Sequence, residues 1–132
     1  MKKIFYYTDV LPFLGEEKKA LNKLIYNLSI FRSACSDIQL IWHPWSLTEE
    51  YLEKNGSHVL DDYKCIVRDY IDEGWGILDT CSSLDEAKRV LLDCDAYYGD
   101  ISDLTYEAQN AGIPVMLQNI DIWEQIDEYS PL

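Results

Sequence analysis

The segment Gly99-Asp100-Ile101-Ser102-Asp103 carries the residue types best suited to holding a small ligand. Gly99 permits close backbone approach, and a helix opening just after it would offer free N–H groups to an anion. The same residues have a structural use, since Asp100 or Ser102 can cap that helix and complement its dipole. Two carboxylates there would repel a phosphate unless one turned away or a metal intervened. His43, one of two histidines, sits where a strand enters a loop. General base and phosphate donor are roles open to it, but a loop histidine bonded to backbone is the favoured reading. His58, at a helix start, is expected to face solvent.

Cys35, Cys65, Cys81 and Cys94 are widely spaced and form no CxxC. Along the chain, that spacing lacks the geometry of a zinc or thioredoxin-like motif. We therefore expect free, buried thiols of a reducing cytoplasm, with no metal ligand set and no cofactor. The apolar stretch after Met1-Lys2-Lys3 is broken by Asp9 and Pro12, too early for a secretory signal. No run approaches the roughly 20 apolar residues of a membrane span, so no membrane insertion is expected.

The elements that must position these residues follow from hydrophobic periodicity. With 132 residues, 48% hydrophobic and 27% charged, the chain has the size and composition of one globular domain. Strands are expected at Ile4 to Tyr7, Ile38 to Trp42 (stopped by His43-Pro44), Trp75 to Leu78, Ala96 to Tyr98 and Ile113 to Leu117. Between them, Ala20, Leu21, Leu24, Ile25, Leu28 and Phe31 mark one face of a helix from about Glu16 to Ala34. Thr48 to Lys54 makes a short helix. Ser57 is a candidate N-cap for the following one, and Gly74 ends it. Ser83-Leu84-Asp85-Glu86 has the form of a capping box. A last helix spans roughly Ile101 to Ala111, and an acidic tail from Asn119 offers Trp123 and Ile126 for docking.

Strand and helix alternate throughout, with no linker and no repeat. This implies a single Rossmann-like α/β domain of three layers, with a mostly parallel sheet of about five strands. The expected strand order is 3-2-1-4-5. Ligands in open α/β sheets settle beyond the carboxyl ends of strands where the order reverses. That crevice would lie between the first and fourth strands, walled by Thr8 to Gly15, His43 to Leu47 and Gly99 to Asp103. None of these loops contains Lys or Arg, which weighs against phosphoryl chemistry. The formal net charge of -13, from 24 acidic and 11 basic residues, excludes nucleic acid and anionic membrane surfaces as partners. A basic protein partner or a homodimer remains open.

The run Cys94-Asp95-Ala96-Tyr97-Tyr98-Gly99-Asp100-Ile101-Ser102-Asp103, with Gly112-Ile113-Pro114-Val115-Met116-Leu117-Gln118-Asn119, resembles a bacterial family. Glu73-Gly74-Trp75-Gly76-Ile77 and the stretch around Trp42 share the likeness. The family is the carboxyl-terminal, donor-binding half of GT-B transferases, in particular the CDP-glycerol glycerophosphotransferase-like proteins of Gram-positive bacteria. Related sequences carry Trp-Arg-Pro-His-Pro-Leu where this chain has Trp42-His43-Pro44-Trp45-Ser46-Leu47. They carry Asp-x-Ser-Ser where this chain keeps Asp100 and Ser102 but has Asp103. The resemblance implies a nucleotide-activated small molecule as ligand, with His43, Tyr98, Gly99, Asp100 and Ser102 as candidate ligand-binding residues.

A GT-B site lies between two domains, and this chain has room for one. The leading expectation is thus a stand-alone, diverged donor-binding-like domain acting as a binding or interaction module, without a complete catalytic site. Half of a glycosyl- or glycerophosphotransferase, completed by a partner chain, is the alternative, with Asp100, Ser102 and His43 orienting the donor. A receiver-like signalling domain is a remote third reading. It draws on Asp79 after the third strand but finds only Asp9 after the first, and Gln118 and Asn119 where a lysine is needed.

Overall fold

The structure is a computed structural model that describes residues 1–118; the expected docking of Trp123 and Ile126 lies outside the described residues. Five parallel strands form one sheet: β1 (Lys2–Thr8), β2 (Ile38–Pro44), β3 (Ile77–Leu78), β4 (Ala96–Gly99) and β5 (Val115–Leu117). Their order is β3-β2-β1-β4-β5, which matches the expected order. It differs from the 2-1-3-4-5 order of receiver domains. The helices are α1 (Leu11–Gly15), α2 (Glu17–Ser33), α3 (Thr48–Lys54), α4 (Leu60–Glu73), α5 (Leu84–Leu92) and α6 (Asp103–Asn110). None of them is long and apolar enough to cross a membrane.

Side chains alternate across a strand, so each central strand feeds two cores. Tyr6, Leu40 and Trp42 join Leu21, Leu24, Leu52, Tyr63 and Tyr70 on the α1–α4 face. Phe5, Tyr7, Ile41 and Tyr97 join Ala87, Leu91, Leu104 and Ala108 on the α5–α6 face. Trp42, Phe5, Leu40 and Leu91 are each 0% exposed. Burying a side chain of this class stabilises the fold by about 1.5–3 kcal/mol, so the two faces together fix which residues emerge at the strand ends.

Several boundaries differ from the sequence expectation for identifiable reasons. The Thr8 to Gly15 loop contains α1, because Asp9 Oδ1 accepts from the amides of Val10 (2.7 Å) and Leu11 (3.2 Å) and Pro12 suits a first turn. His43 and Pro44 do not stop β2 but extend it, in register with Tyr7 and Thr8. A proline is tolerated there because it sits at the strand's end. β3 shrinks to two residues because the Tyr70 ring takes the place beside Trp75-Gly76. Its hydroxyl lies 2.9 Å from the Ile77 carbonyl and 3.2 Å from that of Leu40. Helix α4 starts at Leu60, so Ser57 is not its N-cap; the hydroxyl instead donates to Glu17 (2.7 Å) and accepts from Val59 N–H.

The expected buried thiols are corrected in part. All four cysteines are free, but Cys35 and Cys65 are exposed, Cys81 is half-buried and only Cys94 is buried. Cys35 falls in the turn after α2, and Cys65 lies off the face of α4 that carries Tyr63 and Tyr70 to the core.

Candidate functional site

The order of the sheet reverses between β1 and β4, and a hollow of about 270 Å³ opens at the strand ends on the α5–α6 face. Tyr7 and His43 form its floor from β1 and β2. Trp45 and Ser46 come from the loop after β2, Cys81, Ser82 and Ser83 from the loop after β3, and Ser102 and Asp103 from the start of α6. Leu84, Ala87 and Leu104 complete it with apolar surface. Among the described residues no Lys or Arg lines it, as the sequence predicts for this end of the sheet.

The expected crevice is not a single cleft. Helix α1 folds the Thr8 to Gly15 segment onto the other side of the sheet, where Asp9, Pro12, Asp100 and Gln118 enclose only about 20 Å³. That gap is no larger than a water molecule needs. Two of three expected walls therefore meet in the hollow, while the third closes the opposite face.

The candidate residues divide accordingly. His43 and Ser102 reach the hollow. Ser102 is also the N-cap of α6: its Oγ accepts from Leu104 N–H (3.2 Å) and lies 3.2 Å from the Tyr97 hydroxyl, while its N–H donates to Thr105 Oγ1 (3.0 Å). Tyr98 points to the α2 side, against Tyr6 and Phe31, and serves packing. Gly99 lies where β4 crowds β1. At its φ of +131° an added Cβ would stand 2.1 Å from the Tyr7 carbonyl oxygen, so no side chain fits.

Asp100 turns to the face opposite the hollow and accepts from Asp9 N–H (2.8 Å), tying together the loops after β1 and β4. Burial pushes its carboxyl up to about 7, against the stabilising Asp9 amide and with added repulsion from the Asp9 side chain. Asp100 is thus a brace between loops, and Ser102 is the helix cap. His58 is exposed, as expected.

His43 is not an ordinary loop histidine. Its ring stacks near Phe5 (5.4 Å between centroids) and Tyr7 (5.9 Å), and its Nδ1 lies 3.1 Å from Asp79 Oδ2. Strand register explains the pairing: Trp42 faces Leu78, and Asp79 N–H donates to the Trp42 carbonyl (2.8 Å), so Asp79 arrives beside His43. The chain then turns on itself. Cys81 N–H donates to Asp79 Oδ1 (3.2 Å) and its thiol donates to Oδ2 (3.2 Å).

Burial lowers the His43 pKa, outweighing the pull of Asp79, so the imidazole is neutral near pH 7. The Cys81 thiol is pushed up to about 12 by burial and by the neighbouring Asp79. As a protonated thiol it is no nucleophile. The hollow therefore offers serine hydroxyls, a carboxylate at Asp103, a neutral imidazole and aromatic surface from Trp45 and Tyr7. That set suits hydrogen bonds to hydroxyl groups and contact with a carbon skeleton.

Sequence reasoning missed the meeting of His43 with Asp79 and Cys81. The argument from CxxC spacing tests only neighbours along the chain, whereas these three meet across a strand pair. Parity puts Asp79 and His43 on one face of the sheet, but their meeting depends on the pairing of Trp42 with Leu78, which neither strand shows alone. Trp45, Ser46, Ser82 and Ser83 were likewise legible only as loop residues. Comparison of the chain with known protein families, with curated proteins and with solved structures returns no match.

Proposed function

We propose that this chain is a small-molecule binding module of the kind represented by the donor half of GT-B transferases, and not a complete enzyme. The observation that carries the reading is the hollow at the carboxyl ends of β1, β2 and β4, polar on three walls and free of lysine and arginine. At about 270 Å³ it lies just below the usual size range of small-molecule sites, so it takes part of a ligand and not a whole nucleotide-sugar. Hydroxyl and carboxylate groups over aromatic surface favour an uncharged, hydroxylated moiety, a polyol or sugar. A phosphate gains nothing from these walls and is repelled by Asp103 and the net charge of -13.

The resemblance to CDP-glycerol transferases and the replaced arginine support the same reading. Isothermal titration with CDP-glycerol, a UDP-sugar, free glycerol and CMP tests it. We expect saturable binding of CDP-glycerol, the UDP-sugar and glycerol through the glycerol or hexose moiety, and none of CMP, which has only the nucleotide part. Heat from CMP alone, or from none of the four, contradicts the binding reading, and turnover of CDP-glycerol contradicts the non-enzymatic part.

A further inference from the structure

We propose that His43, Asp79 and Cys81 form a zinc-type divalent metal site at the inner end of the hollow, with one coordination position open to it. One ligand atom from each residue falls within a common sphere: all three lie within 4.8 Å of one another. His43 Nδ1 to Asp79 Oδ2 is 3.1 Å, Cys81 Sγ to the same oxygen is 3.2 Å, and Cys81 Sγ to His43 Nδ1 is 3.9 Å. Metal–ligand bonds of about 2.0–2.3 Å at tetrahedral angles require edges of about 3.3–3.6 Å between such atoms. The triangle already present brackets that range, so small rotations of three side chains suffice.

The supporting contacts are those a metal site needs. The His43 ring is held by Phe5 and Tyr7, so its Nδ1 is aimed. Asp79 Oδ1 is occupied by the Cys81 amide, which leaves Oδ2 as the ligating oxygen. Charge argues in the same direction. The Asp79 side chain is only 13% exposed, and its one ion-pair partner among the described residues is His43. A divalent ion held by one carboxylate, one thiolate and one neutral imidazole gives a site of zero net charge. On binding, the Cys81 S–H bond breaks, the sulfur keeps the electron pair for the metal, and the proton leaves to solvent. His43 and Cys81 both line the hollow, so a water or a ligand oxygen can complete the coordination from there.

The site stands independently of the ligand reading, because its test needs no small molecule. The full chain carrying Cys35→Ser and Cys65→Ser, which removes the two exposed thiols, is titrated with cobalt(II) chloride and then with zinc chloride. Expected are saturation at about one cobalt per chain with a thiolate-to-cobalt charge-transfer band, and its loss on adding zinc. Cys81→Ser abolishes the band, and Asp79→Asn weakens binding by at least about tenfold. Circular dichroism checks that each variant is folded. No charge-transfer band, or an undiminished band in folded Cys81→Ser, would overturn the site.

Discussion

Asp100 shows how a residue suited to chemistry can be used for architecture. Its carboxyl, pushed up to about 7 by burial, has a folded pKa above the unfolded value of about 3.9. The native state therefore holds a proton that the unfolded chain gives up, and stability falls as pH rises from about 4 to about 7. Above that window the loss is complete. Asp100→Asn can still accept from the Asp9 amide but cannot ionise. We expect its unfolding free energy to vary less with pH across this range and to exceed that of the parent at pH 8 by on the order of 1–3 kcal/mol. Urea unfolding at pH 4.5, 6 and 8 measures this. Equal pH slopes in both proteins would show that Asp100 is not the titrating group. From the sequence, Gly99 to Asp103 was readable as a helix start but not as a brace, because nothing local says that the Asp100 side chain crosses to Asp9.

At the scale of elements, the β1–β4 pairing sets the geometry of the strand ends. Asp100 N–H donates to the Tyr7 carbonyl (3.0 Å), and Gly99 sits against that same oxygen. Gly99→Ala must displace the Tyr7 carbonyl and adopt a φ that L residues rarely take. We expect a loss of roughly 3 kcal/mol or more in unfolding free energy, a cost typical of combined strain and overpacking. A variant within 0.5 kcal/mol, about the scatter of surface substitutions, would mean that β4 can shift. The glycine was legible in the sequence as a point of close approach; that the approaching group is Tyr7 and not a ligand was not. Element identities were largely legible, since apolar periodicity and the Gly74 and Ser83 signals depend only on local chemistry. Helix α1 was hidden by its own cap, as Asp9, Pro12 and Gly15 also spell a loop. The two-residue β3 was hidden because Tyr70, in the last turn of the preceding helix, occupies the space that Trp75-Gly76 would need, and no local pattern says that its ring turns back onto the strand.

The whole molecule follows from the crossover rule. Alternating strands and helices of one hand leave few arrangements, and 3-2-1-4-5 is one of them; nothing local selects it from the others. Alternation does fix the end of the sheet at which loops converge. The face of the sheet was a different matter. Which of two faces keeps an opening at the carboxyl ends of the strands depends on how the helices cover them there, and α1 closes that end on the Trp42 face. Strand register likewise decides that Asp79 meets His43, and register is a property of paired strands and not of either one.

Small-molecule binding in the hollow between Trp45, the Cys81 to Ser83 loop and Asp103 can be followed by amide NMR spectra of the full chain titrated with CDP-glycerol, since each wall reports separately. Expected are saturable shifts at Trp45, Ser46, Ser82, Ser83 and Asp103, with Asp9, Asp100 and Gln118 on the opposite face unmoved. Shifts confined to Asp9, Asp100 and Gln118, or none at any concentration, would contradict it.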